Sequence, residues 1–219
     1  MLVLLLVVLA ALLVAGAAIA AFIDQGYRRE LATWAAARGW GYQEDGGADW
    51  AGFLPRGYRR RVKIEMAGRW QGRPMTAAHY WYQVRHSSRN APRTYHLTVV
   101  VVRLAVPHPT VVLYPRALGS VGHGIAKAVG LPSANATGIP EFDNRYRINA
   151  GPGPGPGAGL VTEQAIRVTL AADLPPWQVR GRDLIIAWRG SPNPRDLDRK
   201  LAQAAALAAQ LDPLPQTSL

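Results

Sequence analysis

The first 23 residues, Met1 to Ile23, carry no charged or strongly polar side chain. At a rise of about 1.5 Å per residue such a run reaches roughly 34 Å as a helix, enough for a hydrocarbon core of about 30 Å. The pattern then changes. Tyr27, Leu31 and Trp34 recur at helical spacing, which predicts that the apolar helix continues to about Arg38, with Gly39 in the left-handed conformation that ends it. Trp40-Gly41-Tyr42 reads as a short strand, and residues 43–58 as a loop that tucks Trp50, Phe53 and Leu54 onto the domain.

Alternation takes over from Arg61 to Met66, a strand with Val62 and Ile64 on its inner face. Gly68 to Gly72 reads as a turn and Pro74 opens the returning strand. Residues 75–85 and 94–106 form two long strands joined by the polar loop His86–Arg93, and the second is rich in β-branched residues. Pairing Arg85 with Thr94 sets Val84, Tyr82 and Tyr80 opposite Tyr95, Leu97 and Val99. The other face then has Gln83 opposite His96 and Trp81 opposite Thr98.

Pro107 is expected to end that strand, and Thr110–Tyr114 to form another. Residues 118–130 read as a weak helix, and Phe142 with Arg145–Ile148 as a further strand. The Gly/Pro run Gly151–Gly157 marks a flexible segment over 149–159. Residues 160–172 look helical, and Trp177–Arg180 with Asp183–Trp188 look like a strand pair turning at Gly181. A last helix is capped by Asn193, has Pro194 at its first position, and carries the stripe Leu197, Leu201, Ala204, Ala208 and Leu211. The fold class is therefore α+β. An N-terminal transmembrane helix, 1–23, precedes one soluble domain, 24–219, an antiparallel sheet of about six or seven strands with packed helices.

Composition adds limits. Seven Trp and eight Tyr supply core anchors, and the absence of cysteine excludes disulfides, thiolate metal sites and cysteine nucleophiles. The net charge of +11 comes almost wholly from arginine, alongside enriched Ala, Gly and Pro, a bias that a GC-rich genome produces without selection for binding. A basic surface still attracts anionic lipid, nucleic acid and acidic proteins. Ala18-Ile19-Ala20 has the form of a signal-peptidase site. The run is longer than a usual signal core and lacks a basic leader, so it reads as a retained anchor. Arg28, Arg29 and Arg38 after the span place the domain on the cytoplasmic side of the cell membrane by the positive-inside rule.

Candidate chemistry is sparse. Gly119 to Lys127 follows a strand and opens a helix but fits neither phosphate-loop spacing, and a helix cap at Ser120 explains it. His79, His96, His108 and His123 lack metal-site spacing. In the register above His79 and His96 share a face but stand four positions apart, about 13 Å. Glu141 and Asp143 share a strand face with Arg145 and Arg147, so charge pairing accounts for them. No catalytic residue, cofactor site or metal site is assigned.

The feature with most physical content is the basic set Arg28, Arg29, Arg56, Arg59, Arg60, Arg61 and Lys63, read as contacts to anionic lipid headgroups. Its plainer alternative is a solubilising strand edge. The expected partners are the bilayer, anionic headgroups and an unidentified protein. Nucleic acid ranks below these, because no recognition motif accompanies the charge. The function reads as a non-enzymatic, membrane-anchored interaction module of the cell envelope, with an enzyme assembled from scattered residues as the alternative.

The motifs Trp34-Ala-Ala-Ala-Arg-Gly-Trp40, Gly68-Arg-Trp-Gln-Gly-Arg-Pro74, Glu141-Phe-Asp-Asn-Arg-Tyr-Arg-Ile148 and Trp177…Gly181…Asp183-Leu-Ile-Ile186 follow the N-terminal span. In this layout the chain resembles uncharacterised membrane-anchored proteins of actinobacteria. The resemblance covers nearly the whole chain and rests on packing and turn motifs, so it implies a fold and no functional residues. The Gly/Pro run departs from that pattern, in which an ordered segment stands.

Overall fold

In a computed structural model the chain is described over residues 1–85, 91–116, 137–150 and 157–212. The first helix, α1, spans Leu2–Ala36 without a break. Trp40 N–H donates to Ala35 O at 2.9 Å and Gly39 N–H to Ala36 O at 3.1 Å, with Gly39 at φ +66°. This is a Schellman ending, and its usual hydrophobic contact is present as the edge-to-face pair Trp34–Trp40 at 5.4 Å. The expected stop at Gly39 stands.

Six antiparallel strands follow among the described residues: β1 (Gly41–Glu44), β2 (Arg59–Trp70), β3 (Arg73–Val84), β4 (Arg93–Pro115), β5 (Tyr146–Ala150) and β6 (Trp177–Arg189). They pair in the order β1-β2-β3-β4-β5, and β6 also pairs with β4. Helices α2 (Pro140–Arg145), α3 (Glu163–Ala171) and α4 (Pro194–Leu211) complete the elements used below. The α+β reading holds, and Asn193 caps α4 by accepting from Arg195 N–H.

One sheet face packs Ile64, Met66, Met75, Ala77, Val100, Val102, Leu184 and Ile186 against Leu31, Trp34 and Ala35 of α1 and the predicted stripe of α4. The opposite face is smaller. There Val62, Tyr80, Leu97, Val99 and Ile185 are covered by Trp50 and Leu54 around a short 3-10 helix, Asp49–Phe53. Phe53 departs from expectation. It is 47% exposed, with the Arg180 guanidinium over its ring.

Val62 and Ile64 are both buried but not on one face. The β2–β3 register shifts between them: Val62 pairs with Tyr80, and Ile64 with His79. Lys63 is the extra residue of this β-bulge, and the bulge flips the alternation so that β2 serves both cores. The Gly68–Gly72 turn contracts to Gln71-Gly72, both at positive φ, as a two-residue hairpin requires. Gly68 itself lies in β2, where a Cβ would stand 2.4 Å from the Trp40 ring.

The β3–β4 register is slipped by two from the expected one: Gln83 pairs with Thr94, Tyr82 with Tyr95, Trp81 with His96 and Tyr80 with Leu97. An even slip keeps every side chain on its expected face and changes every cross-strand partner. Pro107 does not end β4. Pairing with β3 has already stopped at Val102, and the ladder to β6 is irregular between Arg103 and Val111, so no ladder donor is lost. Likewise β6 is one strand. Gly181 faces His108 at that irregularity and kinks the strand instead of reversing it.

Glu141, Phe142 and Asp143 lie on α2, not on a strand. Asp143 accepts from Thr137 N–H and Oγ1 and from Gly138 N–H, and Arg145 pairs with Asp173. Asn149 and Ala150 belong to β5 and Gly157–Leu160 forms a 3-10 turn, leaving 151–156 of the Gly/Pro run outside the described residues. The expected helix at 118–130, with Gly119–Lys127 and His123, also lies outside them.

The bulge makes a sharp prediction. Deleting Lys63 makes Val62 and Ile64 neighbours, which a regular strand places on the opposite faces they already occupy. Both cores stay filled, so a cooperative melting transition should survive the loss of the bulge. Lys63→Ala keeps the register and should cost no more than about 1 kcal/mol. Thermal unfolding of both variants checks this.

Candidate functional site

Asp24, one residue after the apolar run, sits over the bulge. Its carboxylate pairs with the Lys63 ammonium and accepts from Arg28 Nε at 2.8 Å, and Arg28 in turn pairs with Glu44. The Lys63 hydrogen bond, with Arg28 beside it, holds the Asp24 carboxyl below its ordinary pKa. One helical turn on, the Tyr27 hydroxyl lies 3.2 Å from His79 Nδ1. His79 Nε2 lies 2.9 Å from His96 Nδ1 and 3.3 Å from Ser191 Oγ.

The two histidines, expected about 13 Å apart, are thus in contact. The slip by two makes His96 the partner of Trp81, diagonal to His79 on the same face, and diagonal pairs lie within reach of long side chains. His79 is 2% exposed. Burial, then the neighbouring His96 and Lys63, pulls its pKa down to about 4. His96 is lowered by burial and Lys63, and the Tyr27 phenol is raised by burial. At neutral pH both rings are uncharged, and His79 has one ring proton to donate and one lone pair to accept with.

Ser191, His79 and Tyr27 have the connectivity of a nucleophile, a base and an orienting group. Their electrostatics oppose that chemistry. A general base must carry a proton in the transition state, and here burial, His96, Lys63 and Arg28 outweigh Asp24 and disfavour the imidazolium. Tyr27 brings no charge to offset it. Among the described residues no group of three or more His, Asp or Glu is placed to hold a metal ion.

The contacts of Asp24 and Tyr27 fix where α1 departs. Its apolar part leaves past the sheet end formed by the start of β2, the end of β3, the start of β4 and the end of β6. Arg59 pairs there with Gln83, Arg60 with Tyr82, Arg93 with Val84 and Arg189 with Leu97. The seven basic residues singled out in the sequence divide. Arg28 and Lys63 are tied to Asp24, Arg61 reaches Asp45 at 2.7 Å, and Arg56 donates to Gly52 O at 3.2 Å. Arg29, Arg59 and Arg60 are exposed.

Arg85, Arg93 and Arg189 join them at this end, and sequence reasoning missed all three. Arg85 and Arg93 flank one hairpin loop, and the pairing of β6 with β4 brings the distant Arg189 to the same end. The Tyr82 and Tyr95 rings stack at 5.1 Å, 14° from parallel, with Arg93 over Tyr95, while Arg85 lies over the Tyr58 ring.

No protein-family model matches the chain, and no curated protein matches its sequence. Among solved structures it is similar to the crystal structure of the mycobacterial trehalose monomycolate transport factor A, TtfA. The TM-score is 0.55 over 89% of this chain and 99% of that one, at 15% identity. The likeness is one of fold.

The depressed His79 pKa gives a signed prediction. The unfolded chain takes up this proton near pH 6.5 and the folded chain only near 4. Stability is therefore full above 6.5 and should fall by about 3 kcal/mol as the pH drops to 4. His79→Gln should remove that portion of the slope in denaturant titrations across the range.

Proposed function

We propose that this chain is a membrane-anchored interaction module of the actinobacterial cell envelope that works by binding rather than catalysis. Its domain is mounted on a single-span helix at the cytoplasmic surface. The carrying observation is the continuity of α1. It is long and apolar enough to cross a membrane, none of its apolar window is buried in the domain, and its last turns enter the core through Leu31, Trp34 and Ala35.

The domain is thus an extension of the anchor and not a body on a tether. The basic surface close behind the span supports the cytoplasmic side. Anionic headgroups and a protein partner are its proposed ligands. The resemblance to TtfA, a transport factor for trehalose monomycolate, favours an accessory place beside envelope lipid transport. Catalysis is disfavoured by the electrostatics of the histidine pair.

Fractionation tests the reading. The chain should stay with membranes through alkaline carbonate extraction and keep residues 1–20. Added protease should digest the domain in inverted vesicles and spare it in intact spheroplasts. Recovery of a soluble form cleaved after Ala20 would overturn it.

A further inference from the structure

The two sheet faces treat their cations differently at the end where α1 departs. On the face under α1, Asp24, Glu44 and Asp45 neutralise Arg28, Arg61 and Lys63. The opposite face carries a different arrangement. Arg60, Tyr82 and Tyr95 form one cross-strand row. Arg93 lies over the Tyr95 ring at 5.2 Å, Arg189 stands beside Tyr82, and Arg56 and Arg60 flank Tyr80. The four arginines are exposed and the stacked Tyr82–Tyr95 pair is half-buried. Among the described residues no ion pair involves Arg56, Arg60, Arg93 or Arg189, whereas Arg28, Arg61 and Lys63 across the sheet are paired.

We infer that this tyrosine-centred, arginine-ringed patch is the surface by which the domain docks on the phosphate headgroups of anionic phospholipid in the bilayer that α1 crosses. The inference rests on the anchored reading and redraws the lipid contacts within it. Arg60 and Arg56 stay; Arg28, Arg61 and Lys63, which are paired, and Arg29 and Arg59, which lie on the α1 side, drop out; Arg93 and Arg189 enter. Three features select that occupant. Guanidinium groups bind phosphate oxygens through paired N–H donors. Tyrosine rings partition to the headgroup layer, where the ring is half-wet and its hydroxyl stays hydrated. The anchor also holds this sheet end next to the bilayer, so docking needs no search. A nucleic-acid backbone presents similar phosphates, but no tether brings it to this edge.

The test uses the full chain in nanodiscs of phosphatidylcholine alone or mixed with phosphatidylglycerol, with hydroxyl-radical footprinting read by mass spectrometry. Oxidation of Tyr82 and Tyr95 should fall several-fold in the anionic discs. Val106, 50% exposed and remote from this sheet end, serves as the control and should not change. The protection should disappear in high salt and in the triple variant Arg60→Gln, Arg93→Gln, Arg189→Gln. The salt series on the unaltered chain decides the matter even if that variant folds poorly.

Equal oxidation of the two tyrosines in both lipids overturns the inference while leaving the anchor intact. Stronger protection in neutral discs by an added oligonucleotide than by anionic lipid also overturns it. A chain that does not enter nanodiscs fails the anchored reading itself, a separate result.

Discussion

The last turns of α1 have two tasks that few helices combine. Leu31, Trp34 and Ala35 are buried in the main core, where Trp34 donates its indole N–H to Asp198 at 3.1 Å and Arg38 stacks over its ring. The same unbroken helix begins as an apolar run that the domain leaves exposed. Burial of its C-terminal turns therefore fixes the direction of everything before them. Without α1, the face bearing Ile64, Met66, Val100 and Val102 would lose a large part of its cover, and apolar surface of that kind dominates the stability of a domain this size. Holding the apolar helix and closing the core are one interaction.

The polar junction above that core follows from it. A helix lying close on a sheet brings Tyr27 down to His79, and burial then keeps His79 neutral, so its contact with His96 costs no charge repulsion. The Lys63 bulge belongs to the same junction. By changing the face of β2 it frees one lysine to meet Asp24 where the helix emerges. Near the helix Arg28, Arg61 and Lys63 are consumed by such contacts, whereas among the described residues Arg60, Arg93 and Arg189 across the sheet have no ion pair. The likeness to TtfA concerns fold. What the domain does with its free arginines has to be argued from their geometry.

Much of this architecture is written locally. The Schellman end at Gly39, the Asn193 cap and the α4 stripe each depend on residues within a few positions of one another, and each was readable. Features that depend on pairing were not. A hairpin slipped by two satisfies the same apolar pattern, yet it moves His96 from about 13 Å away into contact with His79. The bulge at Lys63 hides because Val62 and Ile64 look alike to an alternation rule. Pro107 and Gly181 read as breakers because their partners, the irregular parts of β4 and β6, are known only from the sheet. The arginine patch was half visible: Arg56 and Arg60 belong to a sequence cluster, whereas Arg93 and Arg189 join it only through strand register.

Rigid mounting of the domain on the anchor is the central claim, and a distance distribution tests it most directly. The chain has no cysteine, so cysteines placed at exposed Arg29 on α1 and exposed Gln164 on α3 can be spin-labelled without background. Double electron–electron resonance on the full chain in nanodiscs should give one narrow distance, unchanged between lipid compositions. A broad or multimodal distribution would mean that the domain swings on its anchor, and would contradict the account.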